Sequence, residues 1–109
     1  MATTYKVLGQ QAPSANSDTT LYTVPAATSA VLSTINIANR GSTAASFRIA
    51  IRPAGATLAN QHYIAYGVPI DAVDSIALTL GFSLAATDVI TVRASTADLT
   101  FSAYGAEIT

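Results

Sequence analysis

His62 is the only histidine in this sequence and cysteine is absent, so one subunit offers neither a thiolate nucleophile nor a two-histidine metal site. An imidazole has the right intrinsic pKa for proton transfer. His62, however, stands beside Tyr63 in a strand-like stretch, where it reads as a polar-face or interface residue. The acids are Asp18, Asp71, Asp74, Asp88, Asp98 and Glu107. Asp71 and Asp74 flank Ala72-Val73, a spacing that could offer two carboxylates to calcium. Asp at such positions more often bonds its own backbone, and Asp71, Asp74, Asp88 and Asp98 are read as turn formers. Gly81-Phe82-Ser83-Leu84-Ala85 lacks the closing glycine of a nucleophile elbow and the helix that must follow one. The expectation is a protein without catalytic residues, metal or cofactor.

Four residues remain as candidate interface or ligand contacts: Arg48, Arg52, Tyr63 and Tyr66. Arg48 and Arg52 share a face by alternation, joined there by Arg93. They are placed to pair with acids of a neighbouring subunit or to stand in solvent. Tyr63 and Tyr66 lie either side of Ile64-Ala65, on opposite faces if the strand is regular. Exposed tyrosines anchor interfaces or stack on sugar rings.

The elements that must position these residues are strands. Phe47, Ile49 and Ile51 alternate with Ser46, Arg48, Ala50 and Arg52, and Val31, Ser33, Ile35 and Ile37 hold the same period. The linking Asn39-Arg40-Gly41-Ser42-Thr43 tolerates positive φ, and the two runs are read as a hairpin. Further strands are expected at Tyr5–Leu8, Leu21–Val24 (closed by Pro25), His62–Tyr66 (ended by Gly67 and Pro69) and Ile76–Phe82. Asp88–Ala94 and Leu99–Tyr104 form a last pair across Ser95-Thr96-Ala97-Asp98. Phe47, Phe82 and Phe101 fall in apolar registers and are assigned to the core. Gln10–Thr20 is read as a loop or an extended arm able to reach a neighbour, and Pro53–Asn60 as a second long connection. Helical periodicity is lacking. The fold class is all-β: an antiparallel β-sandwich, jelly-roll-like, with about eight strands, preferred over closure into a barrel.

The 109 residues make a single domain, 1–109. Only 10% of the residues are charged and 50% are hydrophobic, against about a quarter charged in an average domain. A surface of Ala, Thr, Ser and Gly is poorly defended against association, which points to a homo-oligomer. The net charge of −1 argues against nucleic acid, which demands a basic face. No run approaches the ~20 apolar residues of a membrane helix. No apolar segment of a secretory leader follows Met1–Lys6, so synthesis in the cytoplasm is expected.

Leu21-Tyr22-Thr23-Val24-Pro25, Ser29–Ile35, Phe47–Gly55, Asp88–Val92 and Leu99–Gly105 together resemble a family of small β-sandwich structural proteins of tailed bacteriophages, frequent among cyanophages. The resemblance spans most of the chain from about Leu21 onward. It rests on strand and turn patterns, so it carries no site residues over. It implies a virion component that packs on other virion proteins such as a capsid or tail protein. Capsid decoration or cement is the first expectation, and a tail, baseplate or fibre-attachment part the second. From another class, a carbohydrate- or receptor-binding module is the alternative, with Tyr63, Tyr66 and the Pro53–Asn60 loop as its contacts.

Overall fold

Alternation of apolar and small polar residues gives each strand one face to bury, and two four-stranded sheets bury those faces against each other. The computed structural model describes residues 2–109. Its strands are β1 (Thr3–Gln11), β2 (Thr19–Thr23), β3 (Ser29–Asn39), β4 (Ala45–Arg52), β5 (Tyr63–Ile70), β6 (Ser75–Leu84), β7 (Val89–Ala94) and β8 (Leu99–Ile108). One sheet has the order β1-β8-β3-β6 and the other β2-β7-β4-β5. The pairings are nested and antiparallel: β1 with β8, β2 with β7, β3 with β6, β4 with β5. Contacts β3–β8 and β4–β7 complete the sheets. This is a jelly roll.

That topology corrects two local expectations. β3 and β4 lie in different sheets, as do β7 and β8, so neither pair is a hairpin. Period-two alternation identifies the buried face of a strand but not its neighbour. Ile37 and Phe47 meet one core from opposite sheets, and both are fully buried. Asn39 shapes the β3–β4 arch. Its Oδ1 accepts from the Gly41 N–H at 2.9 Å, and its Nδ2 donates to the carbonyls of Thr43 (2.9 Å) and Asp71 (3.2 Å). The adjacent β7–β8 arch is held to it by the Arg40 N–H and Nη2, which donate to the Asp98 and Ala97 carbonyls, each at 2.9 Å.

Leu32, Ile35, Ile37, Ile49, Ile90, Val92 and Leu99 fill the centre, with Phe47 and Phe101 meeting edge to face at 6.2 Å. Phe82 departs from expectation. It keeps the inward register opposite Leu32, but β6 is an edge strand and the ring stays 38% exposed. At the opposite edge, β1 approaches β2 so closely that a Cβ on Gly9 would stand 2.1 Å from the Leu21 carbonyl oxygen. Only glycine fits there.

Two expected boundaries also move. β1 continues to Gln11 and β2 begins at Thr19, which shortens the Gln10–Thr20 connection. Within it Ala15 bridges Ala94 of the same chain, and the Asn16 N–H donates to the Ala94 carbonyl at 2.7 Å. β5 does not stop at Gly67 and Pro69 but runs to Ile70. β5 is an edge strand, where a proline costs the ladder nothing, and Gly67 takes φ 67° in a bulge.

Candidate functional site

The two outward faces of the sandwich are chemically unlike. On β1-β8-β3-β6 the register aligns rungs that cross all four strands. One reads Tyr5–Ala106–Val31–Ser83, the next Val7–Tyr104–Thr34–Thr79, and a third Gln10–Ser102–Asn36–Ala77. None of these residues is charged. Tyr5 is 85% exposed, and Val7 and Tyr104 are also open to solvent. Lys6 and Glu107 belong to the same strands but turn the other way, toward β2.

The outer face of β2-β7-β4-β5 carries arginine. Arg48 and Arg93 are direct register partners on β4 and β7. Arg48 lies over the ring of Tyr66, its Cζ 4.2 Å from the centroid, a cation–π contact. Tyr63 packs edge to face on the same ring, with centroids 4.9 Å apart and planes at 87°. The expectation of opposite faces for the two tyrosines is therefore corrected, and the cause is local. Tyr63 opposes Ala50 while Ala65 opposes Ile49, so Ile64 is an extra residue in a bulge. One inserted residue restores Tyr63 and Tyr66 to a common face. The sequence gives no glycine or proline at Ile64 to announce it.

Arg52 emerges four residues along β4 from Arg48. Its Nη2 donates to the Gly55 carbonyl at 3.4 Å, and its Nε is buried without a hydrogen-bond partner among the described residues. The short 3₁₀ turns Pro53–Gly55 and Asn60–His62 pack against β7 and β4, which is why outward-facing Ala50 and Thr91 are nonetheless buried. Arg52 thus serves this covered end, while Arg48, Tyr63 and Tyr66 stand together.

Acids near the arginines are few. Asp18 Oδ2 lies 3.6 Å from Arg93 Nη1. Asp88 is spent as a turn former, its two oxygens accepting from the N–H groups of Ala54 (2.9 Å) and Ala85 (2.8 Å). A polar depression of about 50 Å³ opens between Asn16, Ser46, Arg48, Arg93 and Ser95.

The other singled-out residues have structural roles. His62 Nδ1 accepts from the Ala59 N–H at 3.1 Å and closes its own turn. Asp74 accepts from the Ser75 N–H at 2.8 Å. Among the described residues no three His, Cys, Asp or Glu side chains gather where a metal could sit. Gly81 adopts φ 88° at a β6 irregularity between the partners of Leu32 and Thr34.

Sequence reading missed one polar chain. The Tyr22 hydroxyl of β2 donates to Glu107 Oε2 of β8, and Lys6 Nζ of β1 reaches Oε1 at 3.3 Å. Burial, then the bond to Glu107 and its charge, pushes the Tyr22 phenol far above its ordinary value. The Tyr22 hydrogen bond, with Lys6 beside it, holds the Glu107 carboxyl below its ordinary value despite an opposing desolvation effect. Residues so far apart in sequence leave no local signal.

Compared with known proteins, the chain matches no family model and no curated protein. The phage resemblance therefore stands on the strand and turn motifs of the sequence alone.

Proposed function

We propose that this protein is a non-enzymatic structural subunit of a phage particle, packing against further copies of itself through the outer face of β1-β8-β3-β6. One observation carries the self-association: a sheet face crossed by rungs without a single charge, bearing an exposed Tyr5 beside Val7 and Tyr104. Free monomers normally guard such a face with interspersed charge. The molecule measures 45 × 27 × 19 Å. Its broad side thus presents on the order of 1,000 Å², which accommodates the ~800 Å² per partner of a standard interface.

A second copy is the occupant that suits this face best. Tyr, Val, Ala, Thr, Ser, Asn and Gln side chains pair with their own kind without leaving a buried charge unmatched, and isologous contacts between identical patches are the commonest route to closed oligomers. The particle itself comes from the phage resemblance. The described residues are all sandwich, with no shaft or long partner-binding extension among them, which favours capsid decoration or cement over a tail, baseplate or fibre-attachment part. The chain would be made in the host cytoplasm and reside in the virion.

Light scattering over a concentration series tests the self-association. A discrete oligomer whose order does not change with concentration is expected. A monomer persisting at high concentration would sink the proposal.

A further inference from the structure

We propose that the outer face of β2-β7-β4-β5 binds a carboxylated sugar, its carboxylate between Arg48 and Arg93 and its ring against Tyr66. Like charges placed directly opposite on neighbouring strands repel, and Arg48 and Arg93 are register partners. Among the described residues one acid, Asp18, forms an ion pair with either of them. At 3.6 Å that contact is well beyond the 2.7–2.9 Å of a good charge-assisted hydrogen bond. Both side chains are also partly open to water, at 30% for Arg93 and 41% for Asp18. The pair of guanidiniums is thus under-neutralised, and a carboxylate already sits loosely against one of them.

The surroundings select the rest of the ligand. The depression of about 50 Å³ takes a carboxylate but not a sugar ring. Asn16, Ser46 and Ser95 at its rim offer hydroxyl and amide partners. The ring must lie outside, where Tyr66 is 62% exposed beside Arg48 and is held in place by Tyr63. Arg48 covers one face of that ring, and what stays exposed is aromatic surface in contact with a cation, which matches a sugar acid with its apolar C–H face and anionic group on one rigid ring. Nucleic acid fits poorly, because a net charge of −1 gives no extended basic track. This face lies on the opposite side of the sandwich from the uncharged one, so it stays open when copies pack through the latter.

The test is a titration of the isotope-labelled protein with an oligogalacturonate, followed by amide shifts, alongside the methyl ester of that oligosaccharide and an oligoglutamate. Saturable shifts at Ser46, Arg48, Tyr66 and Arg93 are expected with the acid. Esterification, Arg93→Gln and Arg48→Gln should each weaken binding about tenfold or more. Asp18→Asn should tighten it, because it removes the resident carboxylate; a purely structural role for Asp18 would not give that gain. No shifts with the galacturonate at millimolar concentration, equal binding of the ester, or weaker binding by Asp18→Asn overturns the proposal. Oligoglutamate binding as tightly as the sugar acid would overturn it in favour of an acidic peptide. Oligomeric order is measured separately, so failure here leaves the packing proposal to its own test.

Discussion

Tyr22 and Glu107 join the two sheets at the rim of the sandwich, the phenol of β2 donating to the carboxylate of β8 at 2.5 Å. The bond makes stability depend on pH at both ends of the scale. Glu107 has a lowered pKa in the folded state, so its contribution is present above its ordinary value of 4.5 and is lost as pH falls through the folded value. Tyr22 has a raised one, so its contribution is complete below its ordinary value of 10.0 and is lost as pH rises beyond that. Tyr22→Phe should cost about 1–2 kcal/mol at neutral pH. It should also abolish the alkaline fall and flatten the acid one. Denaturant unfolding across the pH range reads this out; a Tyr22→Phe protein with an unchanged alkaline limb would refute it.

The uncharged face yields a separable prediction. Tyr5→Lys and Tyr104→Lys place a charge where the proposed packing leaves it unpaired. Both side chains are solvent-exposed in the isolated subunit, so folding stability should stay within about 0.5 kcal/mol of the parent. Oligomer mass measured by sedimentation should fall to that of the monomer. Retention of the parent's oligomeric order in both variants would show that another surface mediates association.

Gly9 marks a different kind of constraint. Gly9→Ala would push a methyl group into the Leu21 carbonyl oxygen, and backbone on both sides leaves nothing flexible to yield. A loss of about 1–3 kcal/mol is expected, the range of overpacked sites. A thermal midpoint equal to the parent's would mean that β1 can shift away from β2 at no cost.

Asn39 is nearly buried and makes three side-chain hydrogen bonds within and beside the β3–β4 arch. Asn39→Ala would leave the Thr43 and Asp71 carbonyls without these donors, at a cost of about 2–4 kcal/mol. Asn39→Asp keeps the acceptor toward Gly41 but presents a carboxylate to two carbonyls, and should do no better than alanine. Urea unfolding of the two variants ranks them, and an aspartate variant as stable as the parent would contradict the assigned geometry.

How much of this could be read in advance depended on range. The Phe47-Ile49-Ile51 alternation declared strand and buried face, because both are decided by side-chain order along one strand. It could not declare the partner, because Ile37 from the other sheet satisfies the same pattern. Arg48 and Arg52 were correctly placed on one face by that rule. Tyr63 and Tyr66 were not, because the Ile64 bulge breaks the count without a residue type that signals it. The Arg48–Arg93 rung and the Tyr22–Glu107 bond depend on register between distant strands, which no local pattern encodes.

Nested pairing also sets a timetable. Rungs on the proposed packing face all pass through β8, which lies between β1 and β3 although it is the last of the eight strands to leave the ribosome. Until β8 arrives, β1 has no partner in its sheet and the rungs are split. A nascent or truncated chain therefore cannot present the continuous four-stranded face, and the packing proposed for it must wait until synthesis has passed the final strand.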